Sequence, residues 1–219
     1  MARKKGSYTS MKKIEPAVQT FLVNTPSATA GGAPATSFID LSQIASLLNR
    51  RFYRQGINWA VSGMKIFSGA PGTITISKLP ETWVMSNSWE KGFRTWQRLN
   101  NEAMSESESV RPRFLDFKIY ADADHHNLGT AANLLPKNLN IGGTPIVAGE
   151  WEYSKLVIPK TDGTYDVNSR EFLAVGANYP GPGASTLNAV SLIEGYAASR
   201  ALPNKEDPNT PVDARDATR

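Results

Sequence analysis

The densest group of residues able to do chemistry is the segment 122–127 (sequence DADHHN), which holds both histidines of the chain. The simplest interpretation is a polar loop at a strand end, in which Asp and Asn accept hydrogen bonds from backbone amides. Two alternatives stay open. Asp122 and Asp124 offer oxygen ligands to a cation such as Ca²⁺, and Asp124 with His125 could act as a general base in hydrolysis. Adjacent histidines on extended backbone point in opposite directions, so the pair alone does not make a metal site.

Other sequence signatures of catalysis are missing. The chain has no cysteine, which excludes thiol nucleophiles, zinc–thiolate sites and disulfides. Nucleophile-elbow, phosphate-loop, dinucleotide-binding and zinc-protease motifs are also absent from the sequence. Gly181 and Gly183 resemble part of a phosphate-binding loop, but Pro180 and Pro182 lack the N–H donors that such a loop needs. We therefore predict that the chain is not an enzyme.

The positive charge is concentrated at the beginning of the chain. The 219 residues carry 24 Lys and Arg against 20 Asp and Glu, a net charge of +4. Five cations precede the first acid, Glu15: Arg3, Lys4, Lys5, Lys12 and Lys13. Without these five, 19 basic and 20 acidic residues remain, a net charge of −1. A basic arm on a nearly neutral body favours nucleic-acid binding, because lysine and arginine neutralise phosphates without reading the base sequence.

A second basic group, Arg50, Arg51 and Arg54, follows a predicted short helix. We include these three in the predicted nucleic-acid site, although the macrodipole of a helix also favours cations at its end. Trp89 and Trp96 share one face of another predicted helix and could stack on bases. We expect them in a core or a subunit interface instead.

Apolar periodicity predicts about seven strands and three short helices. The strand candidates are 18–23, 38–41, 57–67, 73–79, 113–121, 151–158 and 171–175. The helix candidates are 42–52, with Asp40 as its cap and Gly56 as its end, 87–104, with Asn87 as its cap, and 188–202. Gly92 lies inside the second helix and indicates close packing against that face.

These elements predict an all-β fold, an antiparallel β-sandwich with short helices inserted in its loops. The predicted organisation is a disordered basic arm at 1–16, a folded domain at 17–203 and an extended polar tail at 204–219. No apolar run reaches the about 18 residues of a membrane span, and no apolar stretch follows the basic start as in a secretory signal.

Several long segments resemble the capsid proteins of circular Rep-encoding single-stranded DNA viruses, especially environmental and marine ones. These segments are 47–56, 78–103, 111–136, 149–159 and 175–211. The resemblance implies a viral jelly-roll domain that assembles as 60 copies, or a multiple of 60, into an icosahedral virion. It implies that the arm binds packaged single-stranded DNA, and that assembly takes place in the host nucleus or cytoplasm. By analogy with similar shells, Asp122 and Asp124 would hold Ca²⁺ between subunits.

The chain departs from this family pattern in two respects. Its arm has five cations, fewer than the arginine-rich arms of many small capsids, and seven strands are predicted where a jelly roll has eight. We expect either a strand that the pattern does not reveal or a shortened form of a longer capsid protein. The competing hypothesis is a monomeric β-sandwich binding module, for example for carbohydrate, that uses exposed tryptophans and the loop at 122–127.

Overall fold

Four α-helices and one three-stranded sheet make up most of the regular structure in the part of the chain that this computed structural model describes. It describes residues 17–26, 34–69, 71–105, 109, 112, 114–137, 144–159, 167–176 and 189–200. The helices are α1 (Leu41–Asn49), α2 (Trp83–Met104), α3 (Ala123–Leu128) and α4 (Leu192–Arg200), and a short 3₁₀ turn spans Thr130–Ala132. The strands are β1 (Lys155–Pro159), β2 (Val167–Leu173) and β3 (Ala189–Ser191). The arm at 1–16, the predicted tail at 204–219 and the glycine-proline loop at 180–183 lie outside the described residues.

The sheet has the order β1-β2-β3 and mixes two strand directions. β1 runs antiparallel to β2, with Lys155 opposite Glu171, whereas β3 runs parallel to β2, with Ala189 opposite the same Glu171. Tyr120 forms an isolated parallel bridge to Leu173, the last residue of β2. The end of β2 therefore contacts three segments that are distant from it in the sequence.

The prediction of an all-β jelly-roll sandwich is wrong. The described residues form four α-helices and one small mixed sheet in place of two packed antiparallel sheets. The candidate strands 57–67 and 73–79 form neither helix nor strand and pair with no other described residue. Alternating apolar residues favour extended backbone, but a strand in a sheet also needs a partner, which the pattern does not specify. The candidates 18–23, 38–41 and 113–121 contribute only isolated bridges.

The three predicted helices exist with changed boundaries. α1 ends before Arg50, whose left-handed backbone (φ 49°) closes it well ahead of Gly56. α2 is capped by Thr82 and not by Asn87, so it begins four residues earlier than predicted. The predicted helix at 188–202 begins as β3 before it turns into α4. The cap on α1 is confirmed, because Asp40 Oδ1 accepts hydrogen bonds from the amides of Ser42 and Gln43.

Two adjacent apolar clusters form the core. The first lies between α2, α4 and the sheet, and consists of Phe93, Phe117, Ile119, Leu156, Phe172, Ala174 and Leu192. The second consists of Tyr120, Trp151, Tyr153, Leu173 and Ala189. Trp89 and Trp96 pack against the first cluster, so the prediction that they belong to a core is confirmed. None of the helices within the described ranges has the length and apolar composition to cross a membrane.

Gly92 lets α4 approach α2. A Cβ at this position would overlap the buried side chain of Leu192, the first residue of α4. The close packing that the sequence indicates at Gly92 is therefore confirmed, and it holds α4 against the apolar face of α2.

Candidate functional site

The segment 122–127 is a helix start and not a loop. Asp122 caps α3, because its Oδ1 accepts a hydrogen bond of 2.8 Å from the amide of His125. Asp124 is exposed in the first turn of the helix, where the macrodipole favours a carboxylate. The described residues contain no group of three or more His, Cys, Asp or Glu side chains arranged to hold a metal ion. The Ca²⁺ site at Asp122 and Asp124 stays a prediction, and it would need ligands from outside these residues.

His125 is the centre of a buried hydrogen-bond network. The amide of Ala121 donates to its Nδ1 at 3.1 Å, so that nitrogen carries the lone pair. Nε2 therefore carries the proton and donates to Oδ1 of Asn133 at 2.6 Å. The ring is 3% exposed and stacks on Phe38, with centroids 4.1 Å apart. Burial lowers the pKa of His125, which keeps the ring neutral.

Asn133 connects His125 to α1 and to the residues before β1. Its amide nitrogen donates to Gln43 Oε1 on α1 and to the Tyr153 hydroxyl, both at 2.9 Å. Burial raises the pKa of Tyr153 strongly, and the nearby charge of Asp40 raises it further. Because both ring nitrogens of His125 are engaged, no free lone pair is left for a general base. The network therefore stabilises the fold by connecting α1, α3 and the chain before β1.

His126 makes a separate polar contact on α3. Its Nε2 lies 2.9 Å from Glu171 Oε2 on β2, and Glu171 Oε1 lies 3.4 Å from Lys155 Nζ on β1. Burial lowers the pKa of His126, although the charge of Glu171 acts in the opposite direction. The adjacent histidines contact different partners, because neighbouring residues of a helix lie about 100° apart around its axis.

A groove of about 730 Å³ lies beside the network. Gln43 and Asn133 line one part of it, and Asp116, Lys118 and Trp151 line another. The Lys118 ammonium is buried 3.0 Å from Asp116 Oδ2 and 4.8 Å from the centre of the Trp151 ring. Nothing in the sequence indicated this buried cation, since Lys118 lies within an alternating strand pattern. Its charge is balanced within the protein by the carboxylate and the ring.

The three arginines of the predicted basic group after α1 differ in their contacts with aromatic rings. Arg50 and Arg51 are exposed, and the Arg51 guanidinium lies 5.9 Å from the centre of the Tyr53 ring. The guanidinium of Arg54 lies 5.9 Å from the rings of Trp89 and Phe93. All three remain accessible to phosphate. The five cations of the arm lie outside the described residues, so the structure does not relate them to this group.

The largest exposed apolar feature is the extended segment, residues 57–79, described except for residue 70. Nine large apolar side chains along it are exposed, from 36% for Leu79 to 84% for Phe67. The other seven are Ile57, Trp59, Val61, Met64, Ile66, Ile74 and Ile76. Trp59 Nε1 donates to Ser42 Oγ at 3.1 Å and holds the beginning of the segment to α1.

The two strand candidates within this segment lack backbone partners among the described residues. No backbone hydrogen bond joins residues 57–67 or 71–79 to any other part of the chain that the structure describes. The sequence identified both runs as strand candidates, but it did not show that the described residues offer them no partner. The exposed apolar side chains of this segment, and not the buried histidine cluster, are therefore the surface available to another molecule.

The comparisons add no relative to this picture. The chain matches no protein-family model, no curated protein and no solved structure. The resemblance to viral capsid proteins therefore stays a prediction, and the function must be inferred from the residues of this chain.

Proposed function

We propose that the chain is the structural subunit of a coat that assembles from many copies and encloses single-stranded DNA. The extended segment is the contact between copies, and the basic arm holds the nucleic acid. The observation that carries this proposal is the exposure of nine large apolar side chains within residues 57–79.

The apolar surface of the extended segment is large enough for a stable contact. Nine side chains of roughly 200 Å² each, about half exposed, present on the order of 900 Å², close to the about 800 Å² that one partner contributes to a standard interface. Monomeric proteins rarely leave a patch of this size in water. Within the segment only Lys65 and Lys78 are charged, so little charge would have to be desolvated on association.

The sequence pattern of residues 73–79 indicates how the copies meet. Each buried N–H and C=O group needs a partner, and these residues, which pair with no other described residue, have the alternation of a strand. Ile74 and Ile76 alternate with polar residues, so one face of a paired strand would be apolar. A neighbouring copy can supply both the backbone partners and the apolar cover.

The charge distribution of the chain suits a coat around nucleic acid. The body after the arm, residues 17–219, has 19 basic and 19 acidic residues and no net charge, so copies can pack side by side without strong repulsion. The arm carries the five cations Arg3, Lys4, Lys5, Lys12 and Lys13. Arg50, Arg51 and Arg54 are exposed cations of the folded body and extend the positive surface.

The proposal is tested by light scattering and negative-stain microscopy of the full chain, with and without single-stranded DNA. We expect masses far above the 23.9 kDa of one chain and closed particles in the micrographs. Glutamine at the five arm cations should leave self-association intact and lower the log–log salt slope of DNA binding by about 3.5. A chain that stays at 23.9 kDa under all assembly conditions would contradict the proposal and favour a monomeric binding module.

A further inference from the structure

An exposed cluster of aromatic and cationic side chains lies where α2 meets α4. Trp83, the first residue of α2, is 60% exposed. The Tyr196 ring of α4 meets it edge to face, with centroids 6.5 Å apart and an interplanar angle of 80°. The Arg200 guanidinium lies 5.2 Å from the centre of the Trp83 ring. We call Trp83, Lys91, Tyr196 and Arg200 the aromatic cluster.

The aromatic cluster is held in place by both helices. Asn87 Nδ2 donates to the Tyr196 hydroxyl at 3.2 Å, and Lys91 Nζ contacts Ser199 Oγ. Lys91 Nζ also lies 5.9 Å from the centre of the Tyr196 ring. The position of Asn87 inside α2, where the sequence predicted a cap, thus has a packing role. Two rings and two cations are presented together on one rigid surface.

The two cations of the aromatic cluster are available to an anion. Among the described residues, neither Lys91 nor Arg200 forms an ion pair with a carboxylate. On the same helix Arg94 does, with Glu90 at 2.8 Å. An accessible indole beside unpaired cations is the combination that binds single-stranded nucleic acid, since a base stacks on the ring while the cations contact the backbone phosphates.

We propose that the aromatic cluster is a binding site for single-stranded nucleic acid, in which one base stacks on the open face of Trp83. Lys91 and Arg200 contact the phosphates on either side of that base. The assignment rests on the proposed function, because it gives the enclosed nucleic acid a contact in addition to the basic arm. Double-stranded DNA fits poorly, since its bases are already stacked on each other.

The test is fluorescence anisotropy of a labelled oligothymidylate, titrated with the full chain and its variants. Trp83→Ala should weaken binding by about 5- to 100-fold, as expected for the loss of one stacked base. Trp83→Phe should restore most of the affinity, because it keeps a ring. Leu99→Ala, at another exposed position of α2 (41%), is the matched control and should leave binding unchanged.

The salt dependence separates the aromatic cluster from the arm. Lys91→Gln and Arg200→Gln should each lower the log–log salt slope by about 0.7, while glutamine at the five arm cations lowers it by about 3.5. The preference for oligothymidylate over a duplex of equal length should decrease in Trp83→Ala.

Two results overturn the site in distinguishable ways. Wild-type affinity in Trp83→Ala, with binding lost in the arm variant, would leave the coat function standing and remove the aromatic cluster from it. Absence of nucleic-acid binding by the wild-type chain would remove both the site and the DNA-enclosing role, whatever the mass of the assembly.

Discussion

His125 donates a hydrogen bond of 2.6 Å from Nε2 to Oδ1 of Asn133, and both residues are buried. Together with the bond from the Ala121 amide to Nδ1, this contact fixes one tautomer of a neutral ring. The residues that most suggested chemistry in the sequence are therefore part of the structural network. Among the described residues, the apolar side chains of the extended segment and the arginines after α1 remain exposed.

The first prediction concerns the centre of this network. Asn133→Leu removes partners of His125, Gln43 and Tyr153 and leaves their polar atoms buried. We expect the free energy of unfolding to fall by about 2–4 kcal/mol in urea denaturation. Asn127→Ala, on the exposed surface of α3, is the control and should change it by about 0.5 kcal/mol or less. Equal stabilities of the two variants would show that the network contributes little.

A pair of glycines tests the packing of α4 on α2. Gly92→Ala places a methyl group against Leu192, so we expect it to destabilise the fold by about 1–2 kcal/mol in spite of the better helix propensity of alanine. Gly195 in α4 has open space around its Cβ position. Gly195→Ala should therefore stabilise the fold by about 0.5–1 kcal/mol. Thermal and urea denaturation measure both changes, and the same sign for both would contradict the packing.

Glycine substitutions at the two arginines after α1 should change the free energy of unfolding in opposite directions. Arg50 has a φ of 49°, which costs about 1 kcal/mol in any residue with a side chain. Arg50→Gly should therefore raise the free energy of unfolding by about that amount, while Arg51→Gly should lower it by about 0.5–1 kcal/mol. Chemical denaturation of the two variants checks the difference. A loss of stability in Arg50→Gly would mean that its side chain matters more than its backbone.

The buried histidines make stability depend on pH. Burial lowers the pKa of His125 and of His126, so both stay neutral in the folded chain where the unfolded chain, with a histidine pKa of about 6.5, takes up protons. The unfolded state then binds more protons, and stability must fall as pH decreases below about 6.5. We expect a slope between about pH 6.5 and 5, above the range in which most carboxylates titrate.

The control for the pH prediction is the variant with glutamine at both positions. It should be less stable at pH 8 but show a flatter slope between about pH 6.5 and 5, with at most about 1.4 kcal/mol per pH unit lost for each histidine. Urea denaturation at a series of pH values gives both slopes. An unchanged slope would assign the dependence to other groups.

The sequence predicted local structure better than it predicted pairing. The stripe around Trp89 and Trp96 identified α2, and Gly92 identified its closest contact, because both depend on residues a few positions apart. The sandwich was inferred from apolar runs such as 73–79, whose alternation is typical of strands but carries no information on a partner. The histidine cluster was visible in the sequence, whereas its partners Asn133 and Tyr153 are distant along the chain and were not.

The most direct test of the proposed function is sedimentation velocity of the full chain and two variants at increasing concentration. Phe67→Ser with Ile76→Ser removes apolar surface from the extended segment, and Val147→Ser removes an equally exposed residue (82% against 84% for Phe67) elsewhere. We predict that the wild-type chain and Val147→Ser sediment as assemblies, while the segment variant sediments at or near the mass of one chain. Assemblies of equal size in all three, or a monomeric wild-type chain, would contradict the role of the extended segment.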